Sequence, residues 1–134
     1  TFEIKEYHFH IYFFQNNSHQ VKKAKELFEK VQVLVEKDHR FKVKPLRVNL
    51  SPVGPHPTGS YEVWCPIERW ITLNRGELNV LIHPLTTQAY VDHTTRSAFL
   101  GERSPIDVEG MFGYEEDEIS SQYPKLKLGY AAEN

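Results

Sequence analysis

Two histidines separated by one residue, His8 and His10, stand in the stretch Tyr7-His8-Phe9-His10-Ile11-Tyr12-Phe13. Aromatic and β-branched residues dominate the segment, which reads as a β-strand. Side chains alternate along a strand, so His8, His10 and Tyr12 point one way while Tyr7, Phe9, Ile11 and Phe13 point the other. One face is suited to coordination and the other to packing. Imidazole is the commonest protein ligand for zinc, iron and copper, and a rigid strand would hold two of them at a fixed spacing. A lone His-x-His pair equally suits half-buried strand residues satisfied by hydrogen bonds, so the decision rests on what the rest of the chain brings beside it.

The elements that must do this are readable. Asn17 or Ser18 can cap a helix in which Val21, Ala24, Phe28, Val31 and Val35 recur every three or four residues, with Lys22, Lys23, Lys25, Glu26, Glu29 and Lys30 on the solvent side. Residues 41–50 alternate again, with a change of phase across Pro45 that suits an edge strand with a bulge. A loop dense in proline and glycine, 51–59, leads to a third strand at 61–65. Pro66 suits the first turn of a second helix, 67–74, which Gly76 stops. A fourth strand, 78–83, is closed by Pro84. The order strand, helix, strand, strand, helix, strand predicts an α+β fold of ferredoxin-like βαββαβ type: a four-stranded antiparallel sheet, both helices on one face, the first and third strands central and the second and fourth at the edges. The opposite face is expected to be open, with His8 and His10 on it.

The remaining histidines then fall into place. If the first and third strands run parallel and the fourth runs antiparallel to the first, His8, His56 and His83 come to one end of the sheet. On the fourth strand Leu78, Val80 and Ile82 share the packing face, so Asn79, Leu81 and His83 share the face of His8 and His10. On the third, Tyr61, Val63 and Cys65 alternate with Glu62 and Trp64, which could put the Glu62 carboxylate on the histidine side. Pro55 and Pro57 restrict the backbone around His56 and hold it at low entropic cost. Four histidines and a glutamate exceed what a metal site requires, and the spacing does not say which of His8, His10, His56 and His83 would bind. Elsewhere, Asp92 is expected to cap a short helix before His93. Arg75 is expected to meet carbonyls at the end of the second helix. His19 and His39 lie at the two ends of the first helix as exposed residues. Cys65 has no neighbour that would make it a nucleophile, and no phosphate-binding glycine pattern is present.

A chain of 134 residues suits one domain with its own core and needs no staple to fold. Sixteen basic against eighteen acidic residues, a net charge of −2, leave no electrostatic footprint for nucleic acid or an anionic membrane. A single cysteine excludes an internal disulfide, and no apolar run is long enough for a span, so a cytoplasmic location is expected.

Several motifs in order carry a resemblance: His8-x-His10 in an aromatic strand, Gly54-Pro55-His56-Pro57-Thr58-Gly59-Ser60-Tyr61-Glu62, Leu73-Asn74-Arg75-Gly76, Val80-Leu81-Ile82-His83-Pro84-Leu85-Thr86 and Asp92-His93. Together, from about Tyr7 to Gly101, they resemble the DOPA 4,5-dioxygenase family. That resemblance implies a dimeric α+β barrel arrangement; residues 1–103 are expected to form the ferredoxin-like dioxygenase domain, and 104–134, which carry no motif of the family, a C-terminal extension that packs on it or is partly flexible. It also implies a non-haem Fe(II) extradiol dioxygenase, which opens the ring of a catechol, DOPA-like or other, with O2; zinc or another divalent ion could occupy the site in purified protein. His8, His10, His56 and His83 are then the metal-site candidates, with one of them left over as acid and base; Glu62 stands behind them or is a fourth ligand, unless it is a plain solvent-facing or salt-bridged strand residue, and His93 stands behind them. A homodimer would shelter an open face bearing Tyr12, Trp64 and Leu81. The competing readings are a non-catalytic dimeric metal- or ligand-binding module of the same fold and an RNA-binding sheet. The latter lacks its basic-Gly-aromatic signature.

Overall fold

The structure, a computed structural model, describes residue 4 and residues 6–38, 47–64 and 67–111. Its elements are β1 (Tyr7–Phe13), α1 (Ser18–Lys37), β2 (Gly59–Trp64), α2 (Glu68–Asn74), β3 (Asn79–Pro84), α3 (Ala89–His93), β4 (Ala98–Leu100) and a short 3-10 turn at Glu109–Met111. The sheet runs β2-β1-β3-β4 with every neighbouring pair antiparallel. None of the helices among the described residues is long and apolar enough to cross a membrane.

Local chemistry sets the element ends. The Asn17 side chain accepts a hydrogen bond from the Gln20 amide at 3.2 Å and so caps α1, while the Asp38 amide returns to the Leu34 carbonyl at 3.0 Å to close it. The expected parity of β1 is observed: Phe9, Ile11 and Phe13 join Tyr61 and Val63 of β2, Leu78 and Val80, Ala24, Leu27 and Val31 of α1, and Ile67 and Ile71 around α2 in one buried core. Both long helices therefore pack on one face of the sheet. Gly59 lies so close to Phe13 that a Cβ there would run into the ring, which is what lets the edge of β2 seat against β1.

Three expectations are corrected. The strand with the Gly59–Trp64 sequence runs antiparallel to β1, with Tyr12 opposite Ser60 and His8 opposite Trp64, because the chain reverses between the expected second and third strands. β3 is not an edge: Leu81 and Ile82 face Phe99 and Ala98 of β4, a three-residue strand too short to carry a periodic signal. The histidine face is not open either. Tyr12, Trp64 and Leu81 are 3, 1 and 0 % exposed in the single chain, so these side chains are covered without a second copy. Of the expected strand at 41–50, residues 41–46 lie outside the described residues, while Asn49 bridges Ser60 on the free side of β2.

Candidate metal centre

β1 is central, so each histidine on it has a partner on both sides. His8 sits between Trp64 of β2 and His83 of β3, and His10 between Glu62 and Leu81. His8, His10 and His83 are all buried and present ring nitrogens within 4.8 Å of one another, a grouping that could hold a metal ion. Nε2 of His10 lies 3.0 Å from Nε2 of His83. Two nitrogens bound at about 2.1 Å and at right angles on one ion would lie about 3.0 Å apart, so this pair fits two ligand positions of one divalent cation.

The surroundings fix which nitrogens are free. Nδ1–H of His83 donates to the Pro84 carbonyl at 2.9 Å, leaving Nε2 with its lone pair toward His10. His8 is flanked by carboxylates on both nitrogens, Glu6 at 2.7 Å from Nε2 and Glu62 at 3.5 Å from Nδ1. Whichever nitrogen of His8 turns to an ion, a carboxylate can hold the proton on the other. Glu62 also accepts the Trp64 indole N–H and lies 3.8 Å from Nε2 of His10, and the Trp64 ring stacks on His8 with centroids 5.4 Å apart.

Two further imidazoles close the face. His56 comes from a tight turn in which its amide bonds the Val53 carbonyl and Gly54 takes a φ of 56°. Since β2 begins opposite Phe13, the preceding loop folds back across the sheet. His56 thus lies over His10, ring centroids 4.1 Å apart, and its Nδ1 receives the Tyr12 hydroxyl at 2.7 Å. The expectation that strand direction would bring His56 to the His8–His83 end is therefore replaced by a loop that crosses the sheet. His93, on α3, lies tilted against His83 with ring centroids 3.9 Å apart and donates from Nδ1 to the Ala89 carbonyl at 2.8 Å. Asp92 is no cap: buried inside α3, it accepts from the amide and hydroxyl of Thr86 and from Arg96, and ties the helix to the end of β3.

Burial is the main cause holding His10 and His83 well below the usual imidazole range, and the neighbouring imidazoles add to it. His56 is lowered to about 4 by burial and then by His93, and His93 is lowered by burial against the opposing pull of Ala89 and Asp92. These rings are neutral at pH 7, as ligands must be. Burial raises the Tyr12 phenol, so it remains a donor to His56.

Glu6 and the Tyr12–His56 bond escaped the sequence reading. Glu6 precedes the strand, and the bond depends on the loop's path. His19 pairs with Glu77 at 3.0 Å on the surface, Arg75 donates to the carbonyls of Gly76 and Leu78, and His39 and Cys65 lie outside the described residues.

The chain is similar to several known proteins. A crystal structure of a candidate dioxygenase from Nostoc punctiforme superposes with a TM-score of 0.64 at 30 % identity, covering 79 % of this chain and 90 % of that one. A DOPA 4,5-dioxygenase of Amanita muscaria is 45 % identical over 97 % of this chain, and an uncharacterized 21.2 kDa protein of Botryotinia fuckeliana is 34 % identical over 74 % of it. The chain spans 59 % of the length of each of these two relatives. The model of the Dopa 4,5-dioxygenase family matches residues 7–110, the stretch that contains every histidine of the cluster, and the chain belongs to that family.

Proposed function

We propose that the chain carries the centre of an extradiol ring-opening dioxygenase that holds one Fe(II) on His8, His10 and His83 and acts on a catechol such as DOPA. The observation that carries the reading is the 3.0 Å approach of two buried imidazole nitrogens, in a chain of this family. Bound there, the ion would supply open positions at which both catechol oxygens and O2 meet. The remaining work falls to the chain. Trp64, Leu81 and Tyr12 exclude water from the histidine face, which strengthens every charge interaction on it. Glu6 and Glu62 orient His8 and hold its proton. His56, not needed as a ligand, is the group to accept the catechol proton and return it to the opened product, with Tyr12 fixing its Nδ1. His93 forms the wall behind His83.

Anaerobic loading with Fe(II), metal analysis and oxygen uptake with DOPA, caffeate and protocatechuate test the reading. About one ion per chain and a coloured, conjugated product are expected. Zinc, which has no redox chemistry, should bind without oxygen consumption. Iron-loaded protein that consumes no oxygen with any of these catechols would leave a metal-binding module of the same fold.

A further inference from the structure

We propose that Arg103 is the residue that selects the substrate, by binding a carboxylate on the side chain of the catechol; this rests on the dioxygenase reading above. An open cavity of about 560 Å³ lies beside the histidine cluster, lined by His93, Thr94, Thr95, Arg103, Ile106 and Val108 among others. Its volume is that of a small-molecule site, roughly 300–1,000 Å³. His93 is common to both places: its ring stands 3.9 Å from that of His83 and also lines the cavity. The cavity and the histidine cluster therefore share one wall, the His93 imidazole.

The walls are apolar or hydroxylic apart from His93 and one guanidinium, and they include no carboxylate. Arg103 is held with its guanidinium carbon 5.6 Å from the centre of the Phe99 ring. Phe99 faces Leu81 across β3 and β4, on the histidine side of the sheet, and its ring is 6.3 Å from that of Tyr12, the donor to His56. The cation is thus positioned through Phe99 by the same residues that shape the centre. No carboxylate of the described residues pairs with it. An exposed planar fork of donors over an aromatic ring, beside a partly apolar cavity, is suited to two parallel hydrogen bonds with a carboxylate. The ring of such a substrate would lie toward the histidines and its acidic tail at Arg103.

The test uses Arg103→Gln and Arg103→Lys in two assays. In the first, 3-phenylpropanoate and its uncharged analogue 3-phenylpropanol are titrated calorimetrically into iron-free protein. Wild type should bind the acid more tightly, and R103Q should lose roughly 10- to 100-fold of that affinity, the usual worth of a charge-assisted pair. R103K should fall between them. In the second, the iron-loaded protein is assayed with 3-(3,4-dihydroxyphenyl)propanoate and 4-ethylcatechol, and R103Q should shrink the kcat/KM preference for the acid by a similar factor, mainly through KM. If R103Q leaves both preferences as in wild type, the assignment is overturned, even where catechols are opened. If no catechol is opened but binding of the acid still depends on Arg103, the anion subsite stands and the dioxygenase reading falls.

Discussion

His10, His56, His83 and His93 are lowered for one principal reason, burial on the sheet face opposite the two helices α1 and α2, and this gives the protein a direction of pH dependence. His56 titrates near 4 when folded and near 6.5 when not. As pH falls through that window the unfolded chain takes up protons that the folded chain refuses, so stability is full above about pH 6.5 and is lost on the way down to about 4. His10, His83 and His93 push the same way. The thermal midpoint of metal-free protein should drop between about pH 7 and pH 5, and bound metal should be released over the same range, because protons compete for the ligand nitrogens; a flat profile by calorimetry and metal analysis would contradict this. Roles within the cluster separate by substitution. His83→Ala and His10→Ala should lose metal and turnover together, whereas His56→Ala should retain metal and slow turnover by roughly 10²–10⁴-fold. Metal content and oxygen uptake on each variant distinguish the two patterns.

At the scale of elements, the site depends on α3, which holds little core of its own, and on the loop before β2 that presents His56. Five-residue α3 is fastened by Asp92, whose carboxylate accepts from the Thr86 amide at 2.9 Å and from Arg96 Nη1 at 2.9 Å while nearly fully buried. Asp92→Ala would strand those donors and should cost roughly 1–3 kcal/mol, read as a lower urea midpoint. The same variant should raise amide exchange across Thr86–His93 more than across α1, since the tie is local. At the sheet, Gly59→Ala places a methyl group against the Phe13 ring and should destabilise by about 1–3 kcal/mol through overpacking. The damage would reach the histidine loop, because the Gly59 amide also donates to Gln15 Oε1 at 2.9 Å at the root of that loop.

For the whole molecule, the decisive point is that His8, His10 and His83 come from one chain and are buried within it, at 1, 5 and 2 % exposure. If these three are the ligands, as proposed, one chain supplies all of them. Metal affinity should therefore be independent of protein concentration from the nanomolar to the micromolar range, whatever the association state seen by light scattering. An affinity that rises steeply with protein concentration would mean that a partner supplies or orders part of the centre. The segment after β4 contributes in the same intramolecular way: the Asp107 amide bonds the Pro55 carbonyl at 2.9 Å and so braces the turn that presents His56.

The sequence by itself determined the parity of β1, β2 and β3, and hence that His8, His10, Glu62 and His83 share a face while Phe9, Ile11, Phe13, Tyr61, Val63 and Val80 build the core. Alternation with period two is written into each strand locally and survives whatever the strands do next. It also determined α1, whose apolar stripe and Asn17 cap are local too. Only the tertiary structure decided the direction of β2 against β1, the path of the His56 loop, the closure of the histidine face and the cavity at Arg103. Strand direction and loop path depend on connections between distant segments, and α3 and β4 span five and three residues, too few to show the periodicity of a helix or a strand. The residues that could do the chemistry were therefore visible from their order in the chain. Their convergence on a buried centre is a property of the folded sheet and the loops that cross it.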